Sequence, residues 1–399
     1  MKFSLQFDGV RSTLVPIRTL TPEDGHYFFG YYDLMPYSPD GRRHLAHRIP
    51  FDGRLNARGD VAELGFLEDG HFTPFLETDC WSFQQGAMLQ YAGNGENTVF
   101  YNVFDAKTAR HRTVRHNFDT GERRFAEYAS GCISRDGRYG LGINFSRIWD
   151  FRPGYGYPNL RDPYFDIPHP EEDGVFLSDF ETGSTRMLWS CRELYERFPL
   201  EGRKDSKMVV NHITFNPGGT RYLFLYRNFK NETGRWITSL FVGDLDGNLK
   251  LIIDEMVSHY WWEDDEHMIA YCRPTGEENG VYRVNMVTGD YENIGLGELH
   301  ALSKGWDIHC SLSPDGRYLI GDDYPDKDGF RRIFIQERAT GRAATLLETY
   351  SPYPVPDCKD ARCDLHARWS RDGSRLSFDA VSRGRREIFE ADMSEFRFA

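Results

Sequence analysis

Four histidines recur at one place in an internal repeat. His212, His309 and His366 each stand seven residues before the glycine of a tight turn, Gly219, Gly316 and Gly373. His259 opens the matching strand of a degenerate copy whose turn is Asp264-Asp265. The chain holds 13 His in 399 residues, so chance rarely places four on equivalent sites. Imidazole titrates near neutral pH and binds transition metals, so an arc of four suits proton transfer or an ion. The plainer reading is that each satisfies backbone groups in a wall; it fits one His better than four in register. Cys363 lies three residues before His366, and Cys310 directly follows His309. Imidazole with thiolate suits zinc, and imidazole with carbonyl or carboxylate suits manganese. Against this, Cys363 also reads as a buried thiol at a junction, and strand alternation turns Cys310 away from its neighbour.

The elements that must position these residues are hairpins. Ser38-Pro39-Asp40-Gly41 recurs as Ser134-Arg135-Asp136-Gly137, Asn216-Pro217-Gly218-Gly219, Ser313-Pro314-Asp315-Gly316 and Ser370-Arg371-Asp372-Gly373. Each copy lies between two strand-like runs, and a turn with Gly in the last place joins antiparallel strands. Asn94-Gly95 and Asp264-Asp265 supply two weaker turns. First strands start near residues 34, 86, 130, 212, 259, 309 and 366, mostly about 50 residues apart. A second hairpin follows each first one, as in Ile333-Phe-Ile with Ala344-Thr-Leu-Leu. Four antiparallel strands per unit and seven units predict an all-β fold, a seven-bladed β-propeller spanning 1–399 as one domain. The one long interval implies an inserted loop at about 148–172, rich in Pro, Gly and Tyr. The inner strand of each blade lines a central channel, so the four His share one height around it.

Other polar groups fall on the same side. Arg227 ends the strand after the His212 turn, Tyr260 follows His259, and Asp322-Asp323-Tyr324 ends the strand after Gly316. Phe28-Phe-Gly-Tyr-Tyr-Asp33 and Asn144-Phe-Ser-Arg147 precede the first blade and the insertion. Aromatic residues at a channel mouth stack on sugar rings, and Arg pairs with carboxylates; for each aromatic, ordinary packing between blades is the alternative. The insertion, with Tyr155 and Tyr157, is either a lid or a solvated loop.

Three segments resemble the channel strands of oligogalacturonate lyases, seven-bladed propeller polysaccharide lyases. They are Asn211-His-Ile-Thr-Phe-Asn-Pro, His309-Cys-Ser-Leu-Ser-Pro-Asp-Gly and Cys363-Asp-Leu-His-Ala-Arg-Trp. Phe28-Phe-Gly-Tyr-Tyr-Asp and Arg152-Pro-Gly-Tyr-Gly-Tyr are more similar to the ulvan lyase-type propellers. In the oligogalacturonate enzymes a divalent metal is held by one His and by a Gln-x-x-His-x-His motif. By position His309 and His366 match two ligands, Cys363 stands for the Gln, and Arg368 replaces the last His. The resemblance thus implies His309, Cys363 and His366 as ligands of zinc or manganese. It implies Arg227 and His259 as the catalytic Arg and His. The paired His of the ulvan-type enzymes has no match, since Asn102 and Asn144 occupy the strand ends.

The implied reaction is β-elimination on a uronate-containing oligosaccharide. Arg227 would neutralise the carboxylate, His259 would take the proton, and His212 or Tyr260 would serve the leaving oxygen. Tyr324, Arg147 and Arg368 are further candidate substrate contacts. Two rivals stand beside this: a TolB-like binding propeller without catalysis, and a glycoside hydrolase using Asp33, Asp322 and Asp323. A prolyl-oligopeptidase-like peptidase lacks its Gly-x-Ser-x-Gly elbow here. The net charge of −13 argues against nucleic acid and membrane surfaces and favours a short acidic oligosaccharide over a polymer. No run approaches a membrane span, and Met1–Ser12 lacks a secretory apolar core. A cytoplasmic protein with mostly buried, reduced thiols is expected among the seven cysteines, with Cys358 and Cys363 less constrained.

Overall fold

The computed structural model describes residues 5–7, 9–200, 203, 206–229, 236–304, 307–352 and 356–398. They form seven antiparallel sheets in chain order, the blades of a β-propeller. Blade four comprises Met208–Phe215, Arg221–Asn228, Thr238–Asp244 and Leu249–Ile253. Blade five opens with Met256–Trp262, blade six with His309–Leu312 and blade seven with Arg368–Trp369. The outer hairpin expected of blade six is present, with Ile333 opposite Leu347. Among the described residues there are three short α-helices, and no helix is long and apolar enough to cross a membrane.

The recurrent turn is built the same way in its four Ser-x-Asp-Gly copies. In blade six the Ser313 hydroxyl donates to Asp315 Oδ1 at 2.6 Å, and that oxygen also accepts the Arg317 N–H at 3.0 Å. The chain then reverses through Gly316 at φ +70°, and Gly41, Gly137, Gly219 and Gly373 lie between +68° and +74°. A side chain resists this region by about 1–2 kcal/mol, so Gly ends the motif for a backbone reason.

Two features escaped the repeat. Ile17–Thr19 pairs with Arg385–Asp392, so the N-terminal part supplies the outer strand of blade seven. Leu5–Phe7 and Val10–Arg11 extend blade six to six strands. The second feature is in blade one. Its inner strand pairs at His26–Phe28 with Phe28 opposite His47, and pairing resumes only where Tyr37 faces His44. The residues between, Phe29 to Met35, leave the sheet and enter the channel.

The first part of the insertion is folded into the molecule, whereas Phe165 to Pro168 are exposed. Asn144 caps a helix, Phe145–Phe151, by accepting the Arg147 N–H, and Tyr155 and Tyr157 are buried. The six described cysteines are free, and all but Cys132 are buried; the Cys358 side chain lies outside the described residues. Replacing Gly316 by Ala should lower stability by about 1–2 kcal/mol, whereas Gly316→Asn should recover part of it. No heavy atom lies within 3.9 Å of the added methyl, so the loss reports backbone strain and not a clash. Denaturant unfolding checks this; an unchanged midpoint for Gly316→Ala would contradict it.

Candidate active site in the propeller channel

The inner strands reach the channel histidines through irregularities. Blade four slips register between Asn211 and Ile213, which leaves His212 in a bulge at φ +48°. Blade five slips between Val257 and Tyr260 around His259. His366 enters blade seven at φ +44°, while His309 pairs regularly opposite Asp322. Bulges re-aim side chains, and left-handed non-Gly residues persist only where their surroundings hold them. In blade two the residue at this position is Met88, at φ +52°, and not Gln85, near which the sequence placed it.

The rings do converge. His259 and His309 lie 3.9 Å apart by ring centroids, and His309 and His366 lie 4.6 Å apart. His212 sits across Tyr31, stacked on it at 5.0 Å, and the Tyr31 ring also meets His366 edge-on at 4.9 Å. Tyr31 belongs to the blade-one excursion, so that segment is the floor on which the histidines gather.

Each ring of the trio is oriented by one acceptor at Nδ1. His259 Nδ1 meets Asp307 Oδ1 at 2.9 Å, and His309 Nδ1 meets Asp322 Oδ1 at 2.6 Å. His366 Nδ1 meets the Gly30 carbonyl at 2.9 Å. A carbonyl or an ionised carboxylate only accepts, so the Nδ1 atoms carry the protons and Nε2 keeps a lone pair when the ring is neutral. Asp322 also takes the His366 N–H at 2.8 Å, which stitches blade six to blade seven. Burial lowers the pKa of His259, His212 and His366. For His212 the Arg227 charge adds to the effect, and for His366 the His309 charge does. At His309 burial is outweighed by Asp322, and the pKa rises.

His309, His366 and Asp364 offer ligand atoms that lie within 4.8 Å of one another. The two Nε2 atoms are buried and have no hydrogen-bond partner. Asp364 Oδ1 accepts from Arg331 and, at 2.9 Å, from Arg362. Its Oδ2 lies 2.7 Å from Arg362 Nη2 without hydrogen-bond alignment. Burial would raise this carboxyl, but Arg362 and Arg331 hold it well below the usual range. Two imidazoles and a carboxylate, each steadied from behind, fit a divalent ion.

This cluster differs from the ligand set read from the sequence. Cys363 is not in the cluster. Leu365 packs in the apolar core of blade seven. Cys363 is buried in another setting that includes Arg386 and Asp379, and burial pushes its thiol up to about 12.

Arg227 stands beside His212 in different circumstances. It is 8 % exposed, its Nε is buried without a partner, and it makes no ion pair among the described residues. Burial and the neighbouring Arg152 lower its pKa. Arg152 comes from the insertion, lies 4.3 Å over the Tyr155 ring and pairs with Asp360 at 3.2 Å. Arg362 donates to the Tyr155 hydroxyl at 3.0 Å. The insertion thus meets the segment before blade seven across the channel mouth, as a lid would. Tyr324, half-buried, lies 5.7 Å from His309 and 6.3 Å from His259 at the same end.

Three expected substrate contacts are otherwise engaged. Arg147 is buried in an ion pair with Asp162 and donates to the carbonyls of Met208, Tyr164, Ile167 and Pro168, so it anchors the insertion. Arg368 donates to Asp379 and to the Gly30 carbonyl, while Asp379 accepts the N–H of Phe29. That pair clamps the excursion. The Tyr260 hydroxyl donates to the His212 carbonyl at 3.2 Å, so it is not free to protonate a leaving group. The carboxylates of a glycoside hydrolase do not face one another either. Asp322 is held by His309, Asp323 accepts the Arg332 N–H, and Asp33 lies toward the turn end of the channel. Asp364, Asp307, Arg331 and Arg362 were missed; Asp364 lies in an irregular segment before the strand Arg368–Trp369, and its one signal was its place two residues before His366.

No family model matches the chain. A 148-residue stretch is 26% identical to the Tol-Pal system protein TolB of Francisella tularensis, covering 35% of this chain and 33% of that protein, so the match spans about a third of the relative's length. Two solved structures share the fold. An oligogalacturonate lyase in complex with manganese superposes with a TM-score of 0.64 at 12% identity, over 99% of this chain and 96% of that one. The oligogalacturonate lyase of Vibrio parahaemolyticus gives 0.65 at 14%, over the whole of both chains.

The ligand assignment separates two variants. Asp364→Asn should weaken zinc or manganese binding by roughly 10-fold or more, and Cys363→Ser should leave it unchanged. Calorimetric titration of the purified variants checks both; the opposite ranking would restore Cys363.

Proposed function

We propose that this protein is a lyase that cleaves a uronate-containing oligosaccharide by β-elimination. The observation that carries the reading is Arg227, a buried guanidinium beside the channel histidines that makes no ion pair among the described residues. An unpaired buried cation costs several kcal/mol, and a uronate carboxylate from the substrate would offset that. The overall likeness to two oligogalacturonate lyase structures and the resemblance of the channel strands support the same chemistry.

In this scheme Arg227 binds the uronate carboxylate and lowers the charge that would build on it as the α-proton leaves. His259 is the base: Asp307 holds its Nδ1–H and its Nε2 faces the channel, so Nε2 takes the α-proton. The electron pair of that C–H bond forms the double bond to the β-carbon, and the bond from the β-carbon to the glycosidic oxygen breaks. His212, kept neutral by burial and by Arg227, offers an N–H to that oxygen, whose proton is completed from solvent. A divalent ion held by His309, His366 and Asp364, zinc or manganese, would act as a Lewis acid on the same carboxylate. Tyr324, Tyr155 and Arg152 line the mouth through which an acidic oligosaccharide enters. A binding propeller without catalysis has no need of a base and an unpaired Arg at one point.

His259→Ala should abolish release of the unsaturated, ultraviolet-absorbing product while leaving substrate binding within a few-fold. Arg227→Lys should lower kcat/KM by about 10²-fold or more, since one ammonium cannot form the two-point pair of a guanidinium. Absorbance assays on uronate oligosaccharides check both, and unchanged rates would overturn these roles.

A further inference from the structure

The turn end of the channel carries a second cavity, of about 200 Å³, at the ends of the inner strands of blades three to five. Its walls include Phe215, Tyr260 and Trp261, and its polar groups include Asp33, Gln90 and Arg135. It is walled off from the histidines by Tyr32 and Tyr260. The Tyr32 hydroxyl donates to the Tyr260 carbonyl at 2.8 Å, and the Tyr260 hydroxyl is bound to the backbone of His212.

The polar groups are of two kinds. Thr214 is spent, since its hydroxyl accepts from Trp262 Nε1 at 3.1 Å and donates to Tyr260. Asp33 is not: its Oδ1 is buried without a partner, and burial pushes the carboxyl up to about 7. Near neutral pH such a group both accepts from and donates to hydroxyls. Arg135 is exposed at the rim and makes no ion pair among the described residues. Burial, and to a smaller extent the Arg135 charge, lowers the pKa of nearby Arg371, so a second guanidinium stands near Arg135 on a chain of net charge −13.

We propose that this cavity binds one acidic sugar ring, with its hydroxyls on Asp33 and Gln90, its C–H face on Trp261, and its carboxylate on Arg135. The volume admits a single ring and not a chain, apolar walls with few polar groups are the usual make-up of a small-molecule site, and the cation at the rim orients the carboxylate of an acid outward. The choice of a uronate rests on the lyase reading; the site itself does not, because no catalytic group touches it. A uronate bound there would be a product or effector held apart from the reacting centre.

The test uses Arg227→Ala, which removes the anion holder at the other end. Galacturonate titrated into this variant, followed by tryptophan fluorescence and calorimetry, should bind at one site. Adding Arg135→Ala should weaken that binding at least 10-fold, Asp33→Asn should weaken it similarly, and galactose should bind at least 10-fold more weakly than galacturonate. No binding to Arg227→Ala, or binding indifferent to Arg135→Ala, would overturn the proposal. Arg135 is exposed, so its variant should fold. If the unsubstituted protein yields no unsaturated product yet Arg135-dependent binding persists, the second site stands and the lyase reading fails.

Discussion

The site depends on a single constraint: three channel imidazoles are each gripped at Nδ1 by an acceptor. Asp307, Asp322 and the Gly30 carbonyl hold His259, His309 and His366. With Nδ1 engaged, Nε2 is the atom left for substrate, proton or ion. Ring orientation is therefore set by the way blades are joined, since Asp322 also binds the backbone of His366 from the next blade. The bonds to His309 and His366 are buried and that to His259 is partly buried, where an unmet partner is costly, so the arrangement resists relaxation.

The blade-one excursion serves the same end from inside the channel. Asp379 and Arg368 clamp Phe29 and Gly30, Gly30 orients His366, and Tyr31 stacks on His212. Gly30 is at φ +134°, and a methyl there would meet the Gln85 carbonyl at 3.2 Å, so a close backbone approach requires it. Tyr32 and Asp33 then carry the segment toward the turn end. A channel that is open in outline is thus divided into two chambers by consecutive residues. The charge pattern fits this division. On an acidic chain, Arg227 and Arg152 concentrate positive charge at the histidine end, where the proposed acidic substrate would have to be held against an unfavourable overall field.

Much of this was legible in the sequence, for stated physical reasons. The turn glycines mark positive φ, so the blades could be counted, and counting seven back found the column of His212, His309 and His366. The same count from Gly95 lands on Met88, where the structure puts it. Cys310 lies in a strand, where alternation applies, but Cys363 to His366 precede the strand Arg368–Trp369, so no period marked Asp364. Other parts leave no local trace. Arg331 and Arg362 reach Asp364 from positions no motif marks, and Ile17–Thr19 is too short to signal its pairing with a strand more than 360 residues away. Arg147 and Arg368 look like binding residues in sequence because a buried structural Arg and a substrate-binding Arg differ only in whether a partner is supplied by the protein.

That distinction, a guanidinium with no ion-pair partner among the described residues beside the channel imidazoles, is the central claim. A crystal structure with manganese and a uronate oligosaccharide bound to His259→Ala tests it most directly. The account predicts an ion on His309 Nε2, His366 Nε2 and Asp364, and a uronate carboxylate against Arg227 with its α-carbon facing the place of the missing imidazole. An ion on Cys363, or a saccharide whose carboxylate lies away from Arg227, would contradict it.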